Sequence, residues 1–142
     1  MKILIAKTDG EINKCFAVLS QLRTNLTIEK FFDNVKKQKK FGYRLAFAED
    51  NGKVVCVAGF RISESLAWGK FMYIDDLITD SNSRSKGYGN KLMDWLIDYA
   101  KNEKCDELHL DSGVQRYGAH RFYLHKRMDI TAHHFTLRLK DS

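Results

Sequence analysis

The sequence predicts an α/β chain (α+β in some schemes), with a central, mixed, mostly antiparallel sheet of six to seven strands flanked by about four helices in one domain over residues 1–142. Three observations carry this. Two apolar runs, Tyr43 to Glu49 and Lys53 to Ile62, flank Asp50-Asn51-Gly52, and Asn-Gly is the strongest short signal for an antiparallel hairpin. Phe71 to Thr79, rich in β-branched and aromatic residues, runs through a turn with two glycines into a segment whose Leu92, Met93, Leu96, Ile97 and Ala100 recur at helical spacing. Beyond it Asp106 to Asp111 alternates as a short strand, and a strand-helix-strand connection favours parallel pairing.

In chain order, Lys2 to Lys7 suits a short first strand. Thr8-Asp9 then offers a cap for a helix to about Gln21 or Leu22, with Phe16, Val18, Leu19 and Leu22 inward. Thr27 caps a second helix through Lys39, whose apolar stripe is Ile28, Phe31, Phe32 and Val35. The near-continuous apolar run Val54 to Phe60 implies a central strand buried on both faces. Ser63 to Lys70 is a polar connection into Phe71 to Thr79, and the amphipathic helix runs from about Lys86 to Lys104. After Asp106 to Asp111, Ser112 to Gly118 is a turn region, Ala119 to about Lys126 a short helix, and Ile130 to Leu139 a closing strand.

Apolar residues at 44% and charged residues at 30% describe a globular chain and not a disordered one. No stretch approaches the roughly 18 consecutive apolar residues of a membrane span, so no membrane partner is expected. An acidic, polar sequence follows MKILIAKTDGE where a cleavage site would be needed, so the N-terminus is expected to be a strand and not a signal peptide. Cys15, Cys56 and Cys105 are odd in number and widely spaced, which fits reduced thiols in a cytoplasmic protein. His109, His120, His125, His133 and His134 do not form a ligand set with Cys or Glu, so no metal is expected. The net charge of +6 favours anionic partners, either nucleic acid or a ligand with several phosphates.

The turn Arg84-Ser85-Lys86-Gly87-Tyr88-Gly89 opens a helix directly after a strand. The first N–H groups of a helix lack intrahelical partners and lie at the positive end of its dipole, while glycine admits a ligand close to the backbone. The turn is therefore a candidate anion cradle, and the expected anion is a pyrophosphate. It lacks the spacer and Lys-Ser/Thr of a P-loop and the third glycine of a dinucleotide fingerprint. Arg84-x-x-Gly87-x-Gly89 resembles instead the (Arg/Gln)-x-x-Gly-x-(Gly/Ala) motif of the Gcn5-related N-acetyltransferases, and the element order resembles theirs over nearly the whole chain. Ala119-His120-Arg121-Phe122-Tyr123 matches the middle of the family's Asn-x-x-Ala-x-x-Phe-Tyr-x-x-x-Gly-Phe, with Arg116, Arg127 and Met128 departing from its Asn, Gly and last Phe. Ile74-Asp75-Asp76-Leu77-Ile78 is similar to the family's fourth strand.

The resemblance implies acetyl-CoA as co-substrate, lying between Phe71–Thr79 and Asp106–Asp111. Leu77, Ile78 and Thr79 would meet its pantetheine arm, and Arg84, Ser85, Lys86, Gly87, Tyr88, Gly89 and Asn90 its pyrophosphate. Ser112, Ala119 and Phe122 complete the implied cofactor contacts. Transfer of an acetyl group to an amine needs a neutral amine, an N–H donor for the developing oxyanion and an acid for the thiolate. The backbone near Leu77 or Ile78 is the expected donor and Tyr123 the expected acid. Alternation sends the Asp75 and Asp76 side chains to opposite faces of the strand, so at most one is expected to face the acceptor, and the resemblance favours Asp75 as base because it matches the position of a family Glu. The expected function is N-acetyl transfer to a primary amine of a small molecule or peptide, with nucleic acid not the expected partner. Two alternatives stand beside it: a basic RNA- or ribosome-binding module using Lys36 to Lys40 with Arg44, and a non-catalytic acyl-CoA sensor. Exposure of Trp68 or Phe135 at a strand edge would point to a homodimer.

Overall fold

In the computed structural model, which describes residues 1–140, the chain opens with β1 (Lys2–Ile5) and a sharply defined helix start. Thr8 accepts a hydrogen bond from the Glu11 N–H, and the Glu11 carboxylate accepts from the Thr8 N–H, a reciprocal capping box. Those backbone donors hold the Glu11 carboxyl below its usual pKa. The expected first helix is divided at buried Cys15, where a tight turn from Cys15 N–H to Ile12 C=O separates α1 (Asp9–Lys14) from α2 (Phe16–Leu19). Thr27 caps α3 (Ile28–Lys39) through the Lys30 N–H. Phe31 and Val35 of its apolar stripe are buried, but Ile28, at the first turn, is exposed.

The hairpin forms as expected. Asn51 and Gly52 both take left-handed angles, φ 52° and 76°, as the mirror-image two-residue turn requires, and they join β2 (Tyr43–Asp50) to β3 (Lys53–Ser65). From Val54 to Phe60 β3 is buried, with β2 on one edge and β4 (Gly69–Thr79) on the other. A short 3₁₀ turn (Ser81–Ser83) leads to α4 (Tyr88–Asn102), which buries Leu92, Met93, Leu96 and Ala100. Burial of each large side chain is worth about 1.5–3 kcal/mol. Then β5 (Glu107–Leu110) pairs parallel with β4, while every other pairing in the sheet order β1-β2-β3-β4-β5 is antiparallel. Among the described residues no helix is long and apolar enough to cross a membrane.

Two compact units divide the chain, Met1–Leu110 and Asp111–Ser142. The first holds the whole sheet and α1 to α4. In the second, α5 (Tyr117–His125) ends where Arg127 takes φ 65° and the Met128 N–H reaches the Tyr123 C=O at 3.1 Å. Arg127 thus adopts the left-handed conformation that glycine takes most easily.

The sheet has five strands among the described residues, one or two fewer than expected. The difference is Ile130 to Leu139, which is not a strand. Its alternation is real, and Phe135, Leu137 and Leu139 are all exposed. Alternation gives a segment two faces, but only a ladder of hydrogen bonds to a neighbour makes it a strand, and none forms there.

Helix α4 closes with the Cys105 N–H bonding to the Ala100 C=O at 2.9 Å and Lys104 at φ 64°. A side-chain-bearing residue pays roughly 1–2 kcal/mol for that conformation, partly offset by the greater unfolded-state freedom of glycine. Lys104→Gly should therefore stabilise the fold by about 0.5–1 kcal/mol, measured as a rise in the urea midpoint with an unchanged slope. A lower midpoint would show that the Lys104 side chain holds α4 in some other way.

Candidate active site

The glycine turn is built to leave donors free. Ser85 at φ 66° and Gly87 at φ 81° reverse the chain, and Gly87 stands at the N-cap of α4 without any side-chain cap. The first intrahelical bond runs from the Lys91 N–H to the Gly87 C=O, so the N–H groups of Tyr88, Gly89 and Asn90 precede it and have no partner among the described residues. A β-carbon at Gly87 would meet nothing within 4 Å, whereas one at Gly89 would lie 3.1 Å from Thr79 Oγ1. Gly89 thus lets α4 press against the end of β4, and Gly87 keeps the space over the helix terminus open. Arg84, Ser85 and Lys86 are exposed beside it, and neither Arg84 nor Lys86 makes an ion pair among the described residues. Free N–H groups, a 15-residue helix dipole and two cations suit a pyrophosphate, so the residues present fit the phosphate end of acetyl-CoA.

Two tethers fix that turn. Tyr88 donates its hydroxyl to Asp50 at the hairpin. Buried Asp80 accepts from Gln21 Nε2 at 2.8 Å and from the Ser83 hydroxyl at 3.3 Å, with Lys53 Nζ 3.5 Å away, and Gln21 Oε1 accepts from the Ser81 N–H. These donors, Gln21 foremost, hold the Asp80 carboxyl below its usual pKa.

Parallel pairing of β4 with β5 stops at Ile74 and Leu110, yet β4 continues to Thr79. Leu77, Ile78 and Thr79 are consequently paired with β3 alone within this unit. The β3–β4 ladder is also irregular: Gly59 lies opposite Asp76 and Phe60 opposite Ile74, which leaves Asp75 as the extra residue of a bulge. The bulge overturns the expectation from strict alternation, because Asp75 and Asp76 line the same cavity.

That cavity, about 730 Å³, lies within the first unit between α2, α3 and the sheet. Asp76 is fully engaged, with Oδ1 accepting from Arg23 Nε at 2.8 Å and Oδ2 from the Tyr43 hydroxyl at 2.8 Å. Asp75 is not. Its Oδ2 accepts from Arg61 Nε at 2.8 Å, but Oδ1 is buried without a hydrogen-bond partner. Burial pushes the Asp75 carboxyl above its usual pKa, the Asp76 charge adds to this, and Arg61 opposes it. Burial and Asp76 likewise push the Tyr43 phenol well up. Gly59 makes room for this contact, since a β-carbon there would meet the Tyr43 hydroxyl oxygen at 1.8 Å.

In the second unit, Ala119, Phe122 and Tyr123 ride on α5, all half-buried, with the Phe122 and Tyr123 rings 5.5 Å apart. Burial raises the Tyr123 phenol, and Arg116 pulls it back. Ser112 Oγ is buried with no partner. His109 meets Glu107, His120 the Gly113 carbonyl, and His134 Asp111. The thiols are free; burial pushes Cys15 up to about 12 and raises Cys56 and Cys105, which suits packing and not nucleophilic attack. Two members of the basic group are tied down, Lys36 to Asp9 and Arg44 to Glu103 and Tyr99.

Arg23, Tyr43, Arg61, Gln21 and Asp80 were not singled out from sequence. Each acts on a partner 14 to 60 residues away, a separation that no local pattern encodes. Gly59, isolated inside the apolar run Val54 to Phe60, was the one available signal, since a lone glycine in a strand marks a bulge or a close approach.

The model of the acetyltransferase (GNAT) family matches residues 11–128. An uncharacterised N-acetyltransferase of Bacillus subtilis is 34% identical over 127 residues, covering 89% of this chain and 88% of its own. Among solved structures, the glucosamine-6-phosphate N-acetyltransferase of Arabidopsis thaliana superposes with a TM-score of 0.77 at 23% identity, over 99% of this chain and all of its own. The ribosomal-protein-alanine N-acetyltransferase of Brucella melitensis reaches 0.84 at 14% identity, over 98% of this chain and all of its own. These two likenesses speak for the fold. The cradle, the half-paired fourth strand and the family match agree: the chain belongs to the acetyltransferase (GNAT) family and is an acetyl-CoA-dependent N-acetyltransferase.

Proposed function

We propose that this enzyme transfers the acetyl group directly to a primary amine of a small molecule or peptide, and that the amine binds in the cavity lined by Asp75 and Asp76. The observation that carries this is the unpartnered, buried Oδ1 of Asp75 beside a fully bonded Asp76. A buried acceptor without a donor costs about 1–3 kcal/mol, and the Asp75 side chain, 23% exposed at the cavity, can turn to offer its carboxylate to an ammonium or amine N–H.

In this reading Asp75 receives a proton from the incoming amine, the amine nitrogen forms the C–N bond, and the C–S bond breaks. A backbone N–H near Leu77 or Ile78, whichever points away from β3, donates to the charge that develops on the carbonyl oxygen. Tyr123 gives its proton to the sulfur; burial favours the protonated phenol that this role needs, and the match of Ala119 to Tyr123 with the family's motif supports it. Arg84 to Asn90 hold the pyrophosphate, with Ser112, Ala119 and Phe122 completing the donor's contacts. Three free thiols suit a reducing, cytoplasmic setting.

Three outcomes follow from these assignments. Gly87→Val places a branched side chain at φ 81° over the helix terminus, and should weaken acetyl-CoA binding by at least about tenfold in calorimetry; retained affinity would remove the cradle from the site. Tyr123→Phe should lower kcat by about a hundredfold while leaving acetyl-CoA affinity within about twofold, and equal losses in both would strip Tyr123 of the acid role.

Asp75→Asn should lower kcat/KM by about a hundredfold. Because burial raises the Asp75 pKa, the carboxylate that serves as base appears only above the ordinary aspartate range, so wild-type activity falls on acidification at a higher pH than an ordinary aspartate would give. A raised folded-state pKa contributes stability below the unfolded value and loses it as pH rises through the folded value. At neutral pH the charge therefore works against folding, and Asp75→Asn should melt no lower than wild type. An unchanged acidic limb in the variant would show that another group titrates.

A further inference from the structure

We infer that Gln21 is a positioning residue for acetyl-CoA: its carboxamide sets the start of the turn that carries the phosphate cradle, an inference that rests on the reading of that turn as the pyrophosphate site. The cradle does not set its own shape. It has no side-chain cap, its first N–H groups are open to a ligand, and Ser85 at φ 66° and Gly87 at φ 81° both hold left-handed angles. Its order comes from the residues at its two ends. At the far end Tyr88 is tied to Asp50.

At the near end the Asp80 N–H bonds to the Val55 C=O at 2.8 Å and the Ser83 N–H to the Asp80 C=O at 2.9 Å. Gln21 reaches this point from the segment after α2 and spans two successive residues. Its Nε2 donates to Asp80 Oδ1 at 2.8 Å, and its Oε1 accepts from the Ser81 N–H at 2.9 Å. The same Nε2 lies 3.3 Å from the Ala17 C=O, which ties the side chain to α2. The other partners of Asp80 are longer, the Ser83 hydroxyl at 3.3 Å and Lys53 Nζ at 3.5 Å. A buried carboxylate that needs a donor thus stands beside a backbone N–H that needs an acceptor. A carboxamide offers both side by side, whereas an ionised glutamate only accepts and a lysine only donates. Without this clamp the turn is held at one end only, and binding must order it. Ordering lowers affinity for whatever the cradle holds and leaves the rest of the cofactor's contacts alone.

Gln21→Glu keeps the acceptor for Ser81 but sets a second carboxylate against Asp80. At about pH 8 it should weaken acetyl-CoA binding at least about tenfold in calorimetry. Adding Asp80→Asn restores the donor and acceptor in reverse order, and should bring affinity back to within about threefold of wild type. Two carboxyls at hydrogen-bond distance share a proton once the raised pKa of the pair is passed from above. The defect of Gln21→Glu, taken against wild type at the same pH, should therefore shrink toward about pH 5.5, while the several-fold defect of Gln21→Ala stays level. S-acetylpantetheine, which has no pyrophosphate, should bind every variant within about twofold of wild type by NMR titration; general damage to the fold would not spare it. Gln21→Ala carries the same comparison of the two donors should Gln21→Glu not fold. Wild-type affinity of Gln21→Glu for acetyl-CoA, no recovery in the double variant, or an equal loss with S-acetylpantetheine overturns the inference. If Gly87→Val loses acetyl-CoA while the Gln21 variants bind as wild type, the role of Gln21 falls and the cradle stands. If Gly87→Val binds as wild type, the cradle reading falls and takes the role of Gln21 with it.

Discussion

The extra residue at Asp75 in the fourth strand is the constraint on which the rest of the cavity depends. A regular β3–β4 ladder would place Asp75 and Asp76 on opposite faces, one toward α4 and one toward α3. Skipping a partner between Gly59 and Phe60 turns both carboxylates toward one cavity. Two adjacent carboxylates on one cavity wall repel, and the fold answers with two arginines drawn from opposite sides. Arg23 arrives from the segment after α2 and Arg61 from the neighbouring strand. Gly59 then permits Tyr43 to cross the strand and complete Asp76. One carboxylate is closed off by this arrangement and the other is left with a free oxygen.

The cradle depends on the same strand at its other end. After Thr79 the chain must turn into α4 with its first N–H groups uncovered, which no side-chain cap can be allowed to prevent. Asp80 supplies the rigidity that a cap would otherwise give: it binds Gln21, Ser83 and Lys53 from behind the turn and leaves the front free. Gly89 packs against Thr79 on one side while Gly87 keeps the other side clear. The two halves of the proposed reaction therefore share β4 as a common ruler, with the bulge at Asp75 nine residues before Arg84.

Much of this was legible in the sequence, and the limits have physical reasons. The hairpin, α3, α4 and the parallel return strand follow from local patterns, since Asn-Gly, Thr27 and the 3.6-residue period act within a few residues of themselves. The glycine turn into α4, proposed as the cradle, was legible because glycine spacing at a strand-to-helix turn is also local. The division of the first helix at Cys15, the absence of a strand over Ile130 to Leu139, and the shared face of Asp75 and Asp76 were not. All three depend on what a segment meets, not on what it prefers: a bulge is a property of two strands together, and a strand needs an edge to pair with. The ion pairs around the cavity span even longer separations, so their members looked like ordinary surface charges.

The free oxygen of Asp75 makes little sense as a device for stability. Replacing a buried polar group and its partners with apolar side chains of similar shape is often neutral or favourable, while leaving an acceptor unpaired is costly. A cavity that needed only to be filled could be lined throughout as it is at Leu19, Phe31 and Val35. The four charges of Arg23, Arg61, Asp75 and Asp76 cancel, so they do not act as a long-range attractor for an anion or a cation either. What they do create is a neutral, preorganised frame with one unmet acceptor, at the point where the strand has been bent out of register. In the proposed reading a frame of that kind selects the amine by hydrogen bonding at Asp75 and by shape elsewhere, beside a group whose raised pKa suits it to take up a proton.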